Sequence, residues 1–242
     1  MLTCHQAQQA LFSSLLHILF PQHCPVCGRL GVPFCAECLT SSHGAALPPF
    51  CSECGGAFGV ECCYGSAPCY AAATHDGAAR LLMLSLKYGN NRKLGGPVGA
   101  EMARVLPQVE ADCIVPLPLH KGSARGYNQT ELMARAISLA RNIPLEASAL
   151  QWKEGADSQT HKNARERRAL SFSSFTAQAA LAGRSVILVD DVYTTGATVR
   201  AAKFALERAG AVVAAVFLWT RRVRGHEDPR SWPEPDSDFA LE

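Results

Sequence analysis

The sequence lacks a large net charge of either sign: 23 lysines and arginines stand against 21 acidic residues, a balance of +2. That excludes a surface field strong enough to steer nucleic acid onto the whole molecule. It also lacks any apolar run long enough to span a bilayer. The apolar stretch Ala10 to Phe20 has no lysine or arginine before it, and Pro21, Gln22 and His23 follow where small cleavage-site residues would stand, so it does not read as a signal peptide. The basic flanks that a membrane-surface helix would want are missing as well. Residues 1–20 instead read as a short amphipathic helix, with Leu11, Leu15, Ile18 and Leu19 at helical spacing, expected to pack on the body of the protein. Without an export route the expected setting is the reducing cytoplasm, where paired cysteines favour metal over disulfides.

What the chain does have is size, apolar residues and cysteine. Its 242 residues suit one large domain, or one ordinary domain with a small module attached, and 48% hydrophobic content allows a sizeable core. All but two of the eleven cysteines fall between Cys24 and Cys69. This segment, residues 21–69, is rich in Gly and Pro and poor in apolar periodicity, so it needs a staple. Cys24-Pro-Val-Cys27-Gly28 is followed by Cys35-Ala-Glu-Cys38, two C-x-x-C pairs that fit the corners of a tetrahedral thiolate site. The pattern then restarts, with Cys51-Ser-Glu-Cys54-Gly55 repeating the first pair at a fixed offset that carries Cys35 onto Cys62 and Cys38 onto Gly65. The second unit therefore lacks its fourth ligand. Cys63 and Cys69 are the replacements; Cys69 is favoured, because adjacent Cys62 and Cys63 do not easily ligate one ion. The reading is two small zinc ribbons, structural rather than catalytic. An interleaved pairing of Cys24 and Cys27 with Cys51 and Cys54 also suits the spacing, and iron–sulfur ligation would use the same thiolates. His23 and His43 read as surface residues.

From about Tyr70 the pattern changes to apolar runs alternating with helical stretches. Cys113 to Leu119 reads as a strand ending in a Pro-rich turn, and Gln129 to Ala140 as a helix carrying Leu132, Ile137 and Leu139. Ser185 to Val189 reads as a strand buried on both faces. Ala197 to Ala209 reads as a helix stopped by Gly210, and Val212 to Trp219 as another buried strand. Strand, helix, strand in this order implies a right-handed crossover and a parallel sheet, an α/β domain over residues 70–224. Residues 225–242, with Pro, Asp, Glu and Ser, read as a disordered tail.

The segment Val186 to Thr198 carries the most chemistry. A buried strand runs into Asp190 and Asp191, then into a short loop of Thr194, Thr195 and Gly196, then into a helix opened by Ala197 and Thr198. Loop amides and a helix N-terminus make a site for a phosphate dianion. Gly196 would let the backbone come close to it, and the threonines add hydroxyl donors. Two adjacent carboxylates can accept from vicinal hydroxyls, so together the groups suit a ribose 5-phosphate at the carboxyl end of a parallel strand.

This run of thirteen residues resembles the phosphoribosyl pyrophosphate motif of type I phosphoribosyltransferases. The resemblance implies that Asp190 and Asp191 contact the ribose 2- and 3-hydroxyls and that Thr194 to Thr198 hold the 5-phosphate. Leu86-Lys87-Tyr88-Gly89, Val115-Pro116-Leu117-Pro118 and Arg125-Gly126-Tyr127-Asn128-Gln129 precede it in order. With the cysteine module in front, the chain from about Leu15 to Arg222 resembles the ComF family, the competence protein F group. The fold this implies is a parallel-sheet type I phosphoribosyltransferase-like domain preceded by a double zinc ribbon. The namesake is linked to DNA uptake in natural transformation. Lys87, Lys121 and Arg125 are candidate cations for the ligand. Gln159 to Phe175 resembles the family's mobile loop, with Ala169 where an asparagine is common; its Lys162, Arg165, Arg167 and Arg168 suit pyrophosphate, nucleic acid or plain solvent.

On this reading pyrophosphate leaves C1 of the ribose, magnesium neutralises it, and a nitrogen nucleophile attacks; no residue stands out as the general base. Two further functions stay open. One is a binding protein without turnover. The other is a DNA-handling factor, meeting single-stranded DNA or DNA-uptake proteins through the zinc ribbons and through Arg221, Arg222 and Arg224.

Overall fold

The computed structural model describes residues 22–59, 62–120, 123, 125–153 and 174–223. In chain order the elements are helix α1 (Ala36–Thr40), strands β1 (Phe50–Cys51) and β2 (Pro68–Thr74), helices α2 (Gly77–Tyr88) and α3 (Gly95–Val105), strand β3 (Cys113–Pro116) and helix α4 (Gln129–Arg141). They continue with strands β4 (Leu150–Trp152), β5 (Phe175–Ala177) and β6 (Ser185–Tyr193), helix α5 (Ala197–Arg208) and strand β7 (Val212–Arg221). The helix expected over residues 1–20 and the tail over 225–242 lie outside the described residues.

Five strands form one sheet in the order β1-β2-β7-β6-β3. β2, β7, β6 and β3 run parallel, and only β1 is antiparallel. The α/β class with a parallel sheet is therefore as the sequence implies. Alternate residues of β6 feed two cores, which is why its apolar run is continuous. Val186 and Leu188 join α5 residues such as Ala202 and Leu206 on one face, while Ile187 and Val189 join Leu82, Met102 and Ile137 of α2, α3 and α4 on the other. β4 and β5 form a separate antiparallel pair.

Three features of the fold were not legible in the sequence. β2 begins at Pro68, so the expected module boundary at residue 69 falls inside a strand, and β1 of the cysteine segment pairs with it through Phe50 and Cys69. A second is Leu139, an apolar residue of the expected helix, which is 80% exposed because it sits about 200° around the helix from Ile137. The third is the register of α3 against α4, which rests on the glycines of α3. A Cβ on Gly99 would come within 2.3 Å of the Met133 carbonyl oxygen, so the two backbones approach closer than any side chain allows.

Candidate functional site

β6 continues past Val189 to Tyr193, so Asp190 and Asp191 are strand residues rather than the start of a loop. Successive strand residues point to opposite faces, and the two carboxylates accordingly meet different surroundings. Asp191, only 4% exposed, faces α2 and α4. Lys87 Nζ of α2 donates to its Oδ1 at 2.7 Å, and Gln129 Nε2 of α4 donates to its Oδ2 at 2.7 Å. Asp190 accepts the Asp191 amide at 2.7 Å. Burial, and then the charge of Asp191, push the Asp190 carboxyl up to about 7, against the pull of Lys87.

The Arg125-to-Gln129 segment is built around this pair. Asn128 caps α4 by accepting from the Thr130 amide, and its own amide donates to the Leu117 carbonyl at 2.9 Å. The cap sets the helix start, and the helix start aims Gln129 at Asp191. Arg125 donates to Gln129 Oε1 at 2.9 Å and lies over the Tyr88 ring. Tyr127 donates to the Leu86 carbonyl. Two segments far apart in sequence, Leu86 to Gly89 and Arg125 to Gln129, are thus joined around one carboxylate.

A cavity of about 430 Å³ opens at the carboxyl ends of the parallel strands. Lys87, Arg125, Asp190, Asp191, Thr194 and Thr198 all line it. Thr195, Gly196 and Ala197 stand outside its lining. Gly196 has φ +73°, and a Cβ there would meet the Tyr193 hydroxyl at 2.3 Å. Tyr193 beneath the loop therefore sets a steric need for glycine here, in addition to the close backbone approach expected from the sequence. Sequence reasoning missed His75, His120 and Trp152 on the cavity wall. Only the fold brings the ends of β2, β3 and β4 together here. His75 bonds Thr220 Oγ1 at 2.8 Å; burial, followed by the charges of Arg222, Lys87 and Arg80, holds its imidazole below the usual pKa and so neutral.

The cysteines form two groups. The sulfurs of Cys24, Cys27, Cys35 and Cys38 all lie within 4.8 Å of one another, with Cys27 and Cys35 at 3.5 Å. Tetrahedral zinc with bonds of about 2.3 Å would place sulfurs about 3.8 Å apart, so the four fit a structural ion. Cys51, Cys54 and Cys62 form the second group. The amides of Glu53 and Cys54 point at Cys51 Sγ from 3.3 and 3.4 Å. Although burial acts to raise the Cys51 thiol, these amides and the Cys62 and Ser66 side chains outweigh it and bring it to about 6. The interleaved pairing does not occur.

Cys69, expected as the eighth ligand, stands apart. It is wholly buried in β2 and lies outside the group formed by Cys51, Cys54 and Cys62. Cys63 is the thiol beside the second group, sharing a side-chain hydrogen bond with Cys54. Two other expectations are corrected. His43 is not a surface residue: its side chain is 1% exposed, edge-on to Trp219 and 3.2 Å from Glu101. Arg221 is no surface contact for DNA either, being 6% exposed, stacked over Phe50 at 4.1 Å and bonded to the Gly55 carbonyl. Arg222 lines the cavity. Lys121, the stretch Gln159 to Ser173 and Arg224 lie outside the described residues.

Among the described residues no helix is long and apolar enough to cross a membrane. The phosphoribosyl transferase domain family matches residues 95–238. The chain is 33% identical over 110 residues to the DNA utilization protein YhgH of Escherichia coli strain K12, covering 45% of this chain and 48% of that one. It is 31% identical over 108 residues to the competence protein ComFC of Streptococcus pneumoniae (45% and 46%), and 32% identical over 111 residues to ComFC of Bacillus subtilis (45% and 44%). The match thus spans about half the length of these relatives. With the parallel sheet, the paired aspartates at its carboxyl edge and the two thiol groups, these matches support one assignment: the chain belongs to the phosphoribosyl transferase domain family and is similar within it to the ComF-type competence and DNA utilization proteins.

Proposed function

We propose that this protein binds phosphoribosyl pyrophosphate, or a related ribose 5-phosphate, with magnesium, and that it transfers the phosphoribosyl group to a nitrogen nucleophile. One observation carries the reading: both aspartates, two loop threonines, Lys87 and Arg125 line a single cavity of about 430 Å³, a volume suited to a small-molecule ligand. Asp190 and Asp191 would accept from the ribose hydroxyls. The amides of Thr195, Gly196 and Ala197 and the hydroxyls of Thr194 and Thr198 would take the 5-phosphate at the start of α5. Arg125 faces the place for the pyrophosphate. Bound magnesium would offset the charge of the leaving pyrophosphate. The carboxylates favour positive charge at C1 as the bond breaks. His75, held neutral on the cavity wall, is available to accept a proton from the attacking nitrogen.

In the same reading zinc is the structural metal of both thiol groups, with Cys24, Cys27, Cys35 and Cys38 on one ion and Cys51, Cys54, Cys62 and Cys63 on the other. The names of the relatives connect the protein to DNA uptake or utilization, and the setting proposed is cytoplasmic. The test is incubation with phosphoribosyl pyrophosphate, magnesium and a panel of nitrogen bases. Pyrophosphate release that depends on the base supports transfer. A thermal shift with no release under any base leaves binding and refutes transfer, and no shift at millimolar ligand refutes both.

A further inference from the structure

The second thiol group lies directly behind the phosphate loop, and a small set of side chains joins the two. Arg200, on the first turn of α5, donates through the same Nη1 to the Glu53 carbonyl at 2.9 Å and to the Thr195 carbonyl at 3.0 Å. Glu53 stands between Cys51 and Cys54, and Thr195 stands in the phosphate loop, so one guanidinium nitrogen clips the thiolate turn to the loop. Tyr193 supports the same joint from below. It is 5% exposed, packs edge-on to Phe50 at 4.8 Å, and its hydroxyl sits under both Gly196 and Gly55. Lys203, one turn further along α5 and 8% exposed at its side chain, reaches Glu53 at 3.5 Å. Arg200 itself does not line the cavity.

We propose that Arg200 is a positioning residue, making the conformation of the Thr194–Thr198 loop depend on the metal-held turn Cys51–Cys54. The physical reason is the carbonyl. The backbone of this turn is tied at Cys51, Ser52 and Gly55 by hydrogen bonds, while its two sulfurs face the thiol group, so losing the ion frees the sulfur side of the turn on which the Glu53 oxygen stands. Released, it no longer offers a fixed acceptor. Arg200 then loses the anchor that holds the Thr195 carbonyl turned back, away from the ligand. Loop amides that must converge on a phosphate lose their preorganisation, and the affinity loss follows without any contact to the ligand being removed. The first group, Cys24 to Cys38, has no such clip to the loop and serves as an internal comparison. The ligand part of this inference rests on the proposed phosphate-binding role; the loop part does not.

The experiment compares the full chain with Cys54→Ser, Cys27→Ser, Arg200→Met, Arg200→Lys and the double variant Cys54→Ser/Arg200→Met. Two readouts are taken: peptide-resolved hydrogen exchange over residues 193–200, and affinity for ribose 5-phosphate by calorimetry. Zinc content and near-ultraviolet circular dichroism establish that each variant is folded and how many ions it holds. Cys54→Ser and Arg200→Met should each speed exchange in 193–200 and weaken ribose 5-phosphate about tenfold, the equivalent of one lost charge-assisted hydrogen bond. The double variant should be no worse than either single one, because both break the same link. Cys27→Ser should leave the loop unchanged, and Arg200→Lys, which keeps a donor, should restore part of the protection. Equal effects of Cys27→Ser and Cys54→Ser, additive losses in the double variant, or an undisturbed loop in zinc-loaded Arg200→Met would each overturn the proposal. If the wild type shows no ribose 5-phosphate binding, the ligand assignment fails on its own, and the exchange data still decide the coupling.

Discussion

Replacing Asp190 by asparagine should make the unliganded protein more stable while destroying its affinity for ligand. The carboxyl titrates near 7 in the folded chain and near 3.8 when free, a gap of about three pH units. Its causes are burial and the adjacent Asp191 charge. Because the folded value is the higher one, the folded state holds the proton more tightly than the unfolded state. Stability therefore falls as pH rises from about 4 toward 7 and stays low above it. Each unit corresponds to about 1.36 kcal/mol, so the ionised carboxylate costs at most about 4 kcal/mol at pH 8. Half of that is a reasonable expectation once the polar amide replaces the carboxyl and still occupies the site. Asparagine keeps the side-chain oxygen that accepts the Asp191 amide, so the local geometry survives. For a chain of this size about 2 kcal/mol corresponds to a rise in Tm of roughly 4–8 °C. The assay is thermal unfolding of wild type and Asp190→Asn at pH 5.5 and pH 8, with and without phosphoribosyl pyrophosphate and magnesium. The variant should gain most at pH 8 and less at pH 5.5, and the ligand-induced shift seen in wild type should vanish. A variant that is no more stable at pH 8, or whose advantage does not grow with pH, would refute the claim that the carboxylate is held in a state it resists.

Lys87→Met should cost about 3–5 kcal/mol, because it leaves the buried Asp191 with no cation at 2.7 Å; chemical denaturation measures it, and a loss under about 1 kcal/mol would contradict the pairing. Gly196→Val should lower stability by about 1–3 kcal/mol from its positive φ alone, before the clash with Tyr193, and a normal Tm would show that the loop is not held as described. Elemental analysis should find close to two zinc ions per chain, unchanged in Cys69→Ala and reduced to about one in Cys63→Ser, both following from four thiolates per structural ion; metal loss in Cys69→Ala would return that residue to the second site. Arg221→Ala should unfold the protein at lower denaturant, because it removes a stacked and nearly buried guanidinium, whereas exposed Arg222→Ala should leave stability unchanged. Equal stability of the two would put Arg221 on the surface after all.

The site was legible where chemistry is local in sequence. A strand entering two carboxylates, a glycine-containing loop and a helix is one continuous run, and its residues can be read together without the fold. Lys87 and Arg125 were found as cations, but the geometry that makes them useful was not. Their link to Asp191 passes through Gln129, and it exists only because Asn128 starts α4 where it does. β2 escaped notice because Ala71, Ala72 and Ala73 have little intrinsic preference for strand; neighbouring β7 and the two cores make the segment a strand. The placement of Cys69 outside the second thiol group was hidden for a related reason. Spacing counts cysteines along the chain, but the register of β1 against β2 turns this one into the core. His75 belongs to no motif, and only the meeting of strand ends places it in the cavity.

The pairing of β1 with β2 also bears on the edge of the sheet. β2 is the outermost parallel strand of the sheet, and β1 covers only its beginning, at Phe50–Cys69 and Cys51–Pro68. The Leu47 amide adds one more bond, to the Ala71 carbonyl at 2.9 Å. An uncovered strand edge of this kind, flanked by small apolar residues, invites pairing with another chain. The cysteine segment therefore also covers part of the sheet's outer edge, and on the proposed zinc reading this cover would close only once the thiols take up metal. Protein made under zinc starvation should accumulate as aggregates rather than as a soluble, metal-free form, and a charged residue at Ala71 should not be able to substitute for the cover, because that position is buried in the core.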